Sequence, residues 1–144
     1  MKQEITVDAL KDWDVVADAL VDELNSTPDT KHVLLEGNLG AGKTTLVQHV
    51  MKRLGGDNLV QSPTFSLVNQ YVTANHQPVY HLDLYRLTSQ DELIEAGILD
   101  IIDSGDLCFI EWSALAKPFI GSGALNVDIA LTESGKRTVT LYRL

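Results

Sequence analysis

Polar and apolar residues alternate from Lys2 to Val7, with Ile5 and Val7 on one side, and this period of two predicts a first strand. From Asp8 the period changes. Leu10, Trp13, Ala17, Leu20 and Leu24 recur at spacings of three and four, which predicts a helix with an apolar stripe, opened by Asp8 as its N-cap. Asp14, Asp18 and Asp22 fall at four-residue intervals on another side of that helix, and read first as a solvated acidic face, second as a partner-docking surface. The apolar run 32–36 predicts a strand that empties into Gly37-Asn38-Leu39-Gly40-Ala41-Gly42. Leu46, Val47, Val50, Met51 and Leu54 then mark a helix over 44–54, stopped by Gly55-Gly56. Strand-like runs at 65–72 and 79–84 flank a polar turn and predict a hairpin. Ser89 and Glu92 have the spacing of a capping box, opening a short helix that Gly97 ends. Residues 107–110 are apolar throughout, as in a strand buried on both faces of a parallel sheet. The runs 125–131 and 138–144 predict a closing antiparallel hairpin. The sum is a three-layer α/β domain with a mixed, mainly parallel central sheet and an antiparallel edge hairpin.

Length and composition narrow the functional classes. A chain of 144 residues with 44% apolar and 22% charged positions is expected to fold as one domain over 1–144, with no linker or internal repeat to divide it. The net charge is −9, and residues 1–30 contribute −6 of it through eight acids against Lys2 and Lys11. That sign argues against unaided binding of RNA or DNA, which relies on Lys and Arg neutralising phosphates. The lone Cys108 cannot close an internal disulfide and reads as a small buried hydrophobe. His32, His49, His76 and His81 have no companion cysteines and no His-Glu-x-x-His pattern, so zinc has no support. Charges occupy the first residues and no run of about 18 apolar residues occurs, so a soluble, cytoplasmic protein without membrane contact is expected.

Gly37-x-x-x-x-Gly42-Lys43-Thr44 matches the Walker A pattern in full, between a predicted strand and a predicted helix. The physical reading is a nucleotide-binding P-loop: glycines let successive N–H groups converge on phosphate oxygens, and the helix start adds positive potential. Lys43 would reach the β- and γ-phosphates, Thr44 would bind Mg²⁺, and Thr45 would touch an inner phosphate. Hydrolysis also needs a carboxylate beyond the carboxyl end of a neighbouring strand. Glu111, after the apolar run 107–110, and Asp83, in His-Leu-Asp-Leu-Tyr-Arg at 81–86, are the candidates for metal binding or for orienting water. Each also fits a plain strand-end acid, and His81 a structural histidine. Strand alternation places His81, Asp83 and Tyr85 on one face, and Leu82 and Leu84 on the other. Residues 62–66, Ser-Pro-Thr-Phe-Ser, read by composition as a proline turn, although many P-loop NTPases place a γ-phosphate-sensing threonine in this position.

Four motifs in this order, Gly-Asn-Leu-Gly-Ala-Gly-Lys-Thr-Thr (37–45), Ser-Pro-Thr-Phe (62–65), His-Leu-Asp-Leu-Tyr-Arg (81–86) and Glu-Trp (111–112), resemble the TsaE (YjeE) family. The resemblance spans nearly the whole chain. It implies a P-loop NTPase-like fold and an ATPase that acts with the TsaD and TsaB proteins. Their assembly transfers a threonylcarbamoyl group to adenosine 37 of tRNA, and this subunit supports turnover without performing the transfer. By position it implies Thr64 as a switch-like threonine, Asp83 and Glu111 as the acids around Mg²⁺, and Trp112 as a neighbour of the site. The family often carries an acid where this chain has Asn38, and Lys136 intervenes between Gly135 and Arg137, leaving Arg137 without an assigned role. Contact with tRNA would fall mainly to the partners, in keeping with the negative charge.

Other P-loop classes fit less well. A small-molecule kinase would need an arginine-bearing lid, and no insertion is long enough. A regulatory GTPase would need Asn-Lys-x-Asp and Asp-x-x-Gly, and neither occurs. A nucleotide-binding scaffold without useful hydrolysis stays open, because it differs only in where Asp83 and Glu111 point. Arg86 is the one arginine within a site motif, and alternation places it opposite Asp83, so hydrolysis by the isolated chain is expected to be slow and partner-stimulated.

Overall fold

The computed structural model describes residues 2–38, 40–56, 60–63 and 66–143. In chain order these form β1 (Lys2–Val7), α1 (Asp12–Ser26), β2 (His32–Glu36), α2 (Lys43–Arg53), β3 (Val68–Val72), β4 (Pro78–Asp83), α3 (Gln90–Glu95), α4 (Ile98–Ile102), β5 (Leu107–Glu111), β6 (Leu125–Leu131) and β7 (Arg137–Arg143). The strands make one sheet in the order β1-β7-β6-β2-β5-β4-β3. Its central four strands, β6, β2, β5 and β4, are parallel, while β7 and β3 pair antiparallel at the two sides. The strand that leads into the glycine-rich loop therefore has a hydrogen-bonded neighbour on each edge.

Strand alternation divides the core into two layers. Val33 and Leu35 of β2 and Phe109 of β5 point to α1 and α2, where they meet Leu20, Leu46, Val47 and Val50. Leu34, Cys108 and Ile110 point the other way, onto Leu93, Ile98 and Ile102 of α3 and α4. Each such fully buried side chain contributes about 1.5–3 kcal/mol from apolar burial, which outweighs the weak intrinsic preference of these short helices. Burial pushes the Cys108 thiol up to about 12, in keeping with an inert core residue.

Local differences from the sequence expectations have physical causes. The first helix begins at Asp12 and not after Asp8. The Asp12 carboxylate reaches back and accepts from the N–H groups of Asp8 and Ala9, both at 2.9 Å, closing a turn ahead of the helix. Those two hydrogen bonds lower the Asp12 pKa. Leu10 lies in that turn, 71% exposed, and Val16 and Val21 take its place in the buried stripe. The acidic face is not simply solvated: Asp14 lies 2.7 Å from His49 and Asp18 2.5 Å from Arg53, both on α2. The His49 hydrogen bond lowers the Asp14 pKa, and Asp18 raises that of Arg53.

The capping box is shared between two residues. Ser89 Oγ accepts from the Glu92 N–H at 3.2 Å, but the Glu92 carboxylate returns to Thr88 instead of Ser89. Gly97 (φ +77°) ends α3, and α4 starts directly after it, too short to show a period in the sequence. The first strand of the β3–β4 hairpin starts at Val68, after Leu67 at φ +70°, in place of residue 65.

Candidate nucleotide site

The loop between β2 and α2 is held by contacts that exclude side chains at two glycines. A Cβ on Gly37 would lie 2.9 Å from the Ile129 carbonyl oxygen, so the backbone passes β6 at a distance only glycine allows. Gly42, at φ +121°, is covered by the Trp13 ring, whose Cη2 would lie 2.6 Å from a Cβ. Ala41 donates its N–H to the Asn38 carbonyl at 3.0 Å. Arg137, on β7, donates from Nε to the Ala41 carbonyl at 2.6 Å and from Nη2 to the Gly40 carbonyl at 3.3 Å. This gives Arg137 a definite place as a clamp on the loop. Past Gly42 the N–H groups of Lys43, Thr44 and Thr45 belong to the first turn of α2 and have no intrahelical acceptor, the geometry that receives anions.

The charged groups come from two parallel strands, β4 and β5, and one helix, α2. Register sets Leu35 beside Glu111 and Asp83 beside Glu111, so both acids lie at the carboxyl end of the sheet, next to the loop. Lys43 Nζ donates to the Gly37 carbonyl at 2.8 Å and lies 3.5 Å from Glu111 Oε1. Glu111 Oε2 is 2.6 Å from His81 Nε2. Asp83 is buried, and its Oδ1 accepts from the Tyr85 N–H at 3.0 Å. Lys43, His81, Asp83 and Glu111 are all at most 6% exposed. Burial of that kind requires mutual pairing, because an uncompensated buried charge costs several kcal/mol.

Gly40, Gly42, Lys43, Thr44, Thr45, Ser62, Asp83 and Glu111 line one cleft of about 250 Å³. Gly37, Asn38 and Ala41 shape the loop without lining it, while Leu39 and Thr64 lie outside the described residues. A larger cleft of about 390 Å³, bounded by Val21, Leu24, Lys31, Leu54 and Leu107, lies at the other end of the strands and holds none of the motifs. Trp112, in the left-handed region at φ +55°, lies under Lys43, with Nζ 4.6 Å from its ring, and packs against Tyr85 at 4.9 Å. Its buried Nε1 has no hydrogen-bond partner among the described residues. The described residues contain no group of three or more His, Cys, Asp or Glu side chains placed to share a metal. The oxygen donors available are the Thr44 hydroxyl and the Asp83 and Glu111 carboxylates, hard ligands of the type that suits Mg²⁺ with water and phosphate completing its shell.

Sequence reasoning did not find Tyr71, whose hydroxyl is 3.3 Å from His81 Nδ1, nor Ser62 as a cleft residue in its own right. Tyr71 stands outside every motif; only its position opposite the 79–84 run, two residues from cross-strand pairing with His81, could have pointed to it.

Comparison with known proteins gives a consistent result. The family model described as "Threonylcarbamoyl adenosine biosynthesis protein TsaE" matches residues 8–139. The chain is similar to proteins named "tRNA threonylcarbamoyladenosine biosynthesis protein TsaE" from three bacteria. That of Rickettsia bellii is 41% identical over 106 residues, covering 73% of this chain and 72% of the relative. The Haemophilus influenzae protein is 40% identical over 122 residues, covering 76% and 77%. For Bacillus subtilis the figures are 33% over 106 residues, covering 74% and 65%. The crystal structure of Bacillus subtilis YdiB matches the fold with a TM-score of 0.68 across 99% of this chain and 86% of that one, at 22% identity.

Proposed function

The chain belongs to the TsaE family, and from that premise we propose that it is an ATP-binding and ATP-hydrolysing subunit. It supports threonylcarbamoyl transfer to adenosine 37 of tRNA, acting with TsaD and TsaB and not performing the transfer itself. The pathway follows the relatives, which are named for tRNA threonylcarbamoyladenosine biosynthesis. The nucleotide chemistry follows from one observation: Lys43, Thr44, Thr45, Asp83 and Glu111 line a single cleft at the start of α2. The net charge of −9 favours tRNA contact through the partners and not directly. No described helix is long and apolar enough to cross a membrane, and the reading places the protein in the cytoplasm, with residues 1–144 working as one P-loop ATPase unit.

In this reading the first N–H groups of α2 and the Lys43 ammonium bind the phosphates. Thr44 and Asp83 would hold Mg²⁺, which when bound neutralises charge on the β- and γ-phosphate oxygens. Glu111 is already held through both oxygens, by Lys43 and His81, so it is suited to orienting the attacking water. Thr64 would report the γ-phosphate. No arginine lines the cleft among the described residues, and Arg137 is engaged with loop carbonyls. An arginine finger contributes roughly 10³–10⁵ in rate, so hydrolysis by the isolated chain should be slow and rise when the partners are added.

The test is ATP hydrolysis, with GTP as control, for the wild type and Glu111→Ala, alone and with TsaB and TsaD. Partner-stimulated, ATP-selective turnover is expected, reduced at least about 100-fold in Glu111→Ala while nucleotide still binds. Turnover that ignores the partners, or survives loss of Glu111, would overturn the reading.

A further inference from the structure

Beyond Glu111 the hydrogen bonds continue away from the cleft. His81, on β4, is fully buried, with Nε2 2.6 Å from Glu111 Oε2 and Nδ1 3.3 Å from the Tyr71 hydroxyl. Tyr71, on β3, is 3% exposed, and its hydroxyl also lies 3.1 Å from the Gln61 carbonyl, which accepts from Asn69 Nδ2 at 3.0 Å. Gln61 precedes Ser62, which forms part of the cleft wall. A buried imidazole and phenol carry a desolvation cost that apolar residues at these positions would avoid. Here their polar atoms lie within hydrogen-bond distance of one another from the acid to the loop, the single Tyr71 proton going either to His81 Nδ1 or to the Gln61 carbonyl. His81 also bears on Lys43. A free carboxylate beside a buried ammonium closes to about 2.7–2.9 Å, whereas Lys43 and Glu111 are 3.5 Å apart while the other carboxylate oxygen is bound to His81.

We propose that His81 and Tyr71 are positioning residues for Glu111, and that through Gln61 they fix the pose of this acid together with the 60–63 wall of the cleft. Because His81 restrains Oε2, Glu111 keeps one direction toward the water. The proposal rests on the ATPase reading for its kinetic consequence, but its geometry stands without it.

Two measurements test it. In the partner-stimulated assay, Tyr71→Phe, which removes one hydroxyl, should lower kcat about 10-fold, and His81→Ala about 100-fold, with KM for ATP and nucleotide Kd unchanged. His81→Gln, whose amide can donate to Glu111 but offers no ring nitrogen to Tyr71, should recover to the level of Tyr71→Phe. A purely structural pair would lower the Tm and leave kcat per folded molecule within about twofold, which would overturn the proposal. In the nucleotide-free chain, the ring ¹⁵N spectrum should show His81 Nδ1 shifting on Tyr71→Phe. An unchanged Nδ1 resonance would also overturn it. If the wild-type complex shows no ATP turnover, the functional reading fails by itself and the nitrogen spectrum decides the positioning claim.

Discussion

Replacing Gly42 by alanine separates two physical demands that the P-loop makes at one residue. The first is conformational: φ is +121°, a region an L side chain occupies at about 1–3 kcal/mol. The second is steric, since the new Cβ would overlap Cζ2 of Trp13 and sit 2.6 Å from Cη2. Trp13 is 4% exposed and packed on its other side, so it moves only by disturbing the core, at about 1–3 kcal/mol. Gly42→Ala should therefore lose about 4 kcal/mol, a large share of the ~5–15 kcal/mol that holds an ordinary domain together. Gly40 supplies the control. Its φ is +77°, but no heavy atom among the described residues would lie within 4 Å of a Cβ, so Gly40→Ala should cost only about 1–2 kcal/mol. Urea unfolding of both variants, of Trp13→Leu, and of Trp13→Leu with Gly42→Ala completes the comparison. The two sites should show a coupling of about 1–2 kcal/mol, because a smaller residue 13 leaves room for the methyl. If Gly42→Ala costs no more than Gly40→Ala, or the coupling is absent, the steric argument is wrong.

Further outcomes follow from other contacts. Arg137→Ala removes two charge-assisted hydrogen bonds to the loop carbonyls and should raise the Kd for ATP about tenfold in equilibrium titration, without changing the far-UV circular dichroism. Asp12 has its pKa lowered from the ordinary 3.8 by the N–H groups of Ala9 and Asp8. Its contribution is therefore complete above 3.8 and lost as the pH falls through the lower folded value. Asp12→Asn should accordingly lower the Tm at neutral pH, with the gap closing as the pH is taken below 3.8. Cys108, with its thiol pushed up to about 12 by burial, should resist a thiol reagent at pH 9 in the native protein and react at once in denaturant.

Elements governed by local pattern were legible in the sequence. The β2-loop-α2 unit, the β3–β4 and β6–β7 hairpins and the two-sided burial of β5 each follow from periodicity and glycine placement within a few adjacent residues. The start of α1 was not legible, because Asp8 offers an N-cap by residue type, whereas the turn over 8–11 is closed by the Asp12 carboxylate reaching back to the Asp8 and Ala9 N–H groups, which residue type alone does not reveal. The pairing of Asp14 and Asp18 with α2 depends on how two helices cross, which neither helix encodes alone. The same holds for the site. Lys43 and Thr44 are read from a motif, whereas Arg137 reaches the loop from 96 residues away and His81 meets Glu111 across 30. Such partners are fixed by strand order and register, which become visible only once the sheet is assembled.

The central place of β2 and β5 in the sheet sets a timetable for motion. A strand with neighbours on both edges and helices on both faces exposes its amides to exchange only when most of the molecule opens. Glu111 ends β5, and Lys43 opens a helix whose Leu46, Val47 and Val50 are buried against those strands, so their spacing is preserved through the small, frequent openings that reach the outer strands first. The 60–63 segment is held by the buried Val60, by a hydrogen bond from Gln48 on α2, and by Asn69 and Tyr71 on the edge strand β3. Its tie to β3, which has a neighbour on one side alone, places that segment with the part of the sheet that opens sooner than β2 and β5. The molecule keeps its charges on the strands that open last and ties one wall of the cleft to an edge that opens sooner.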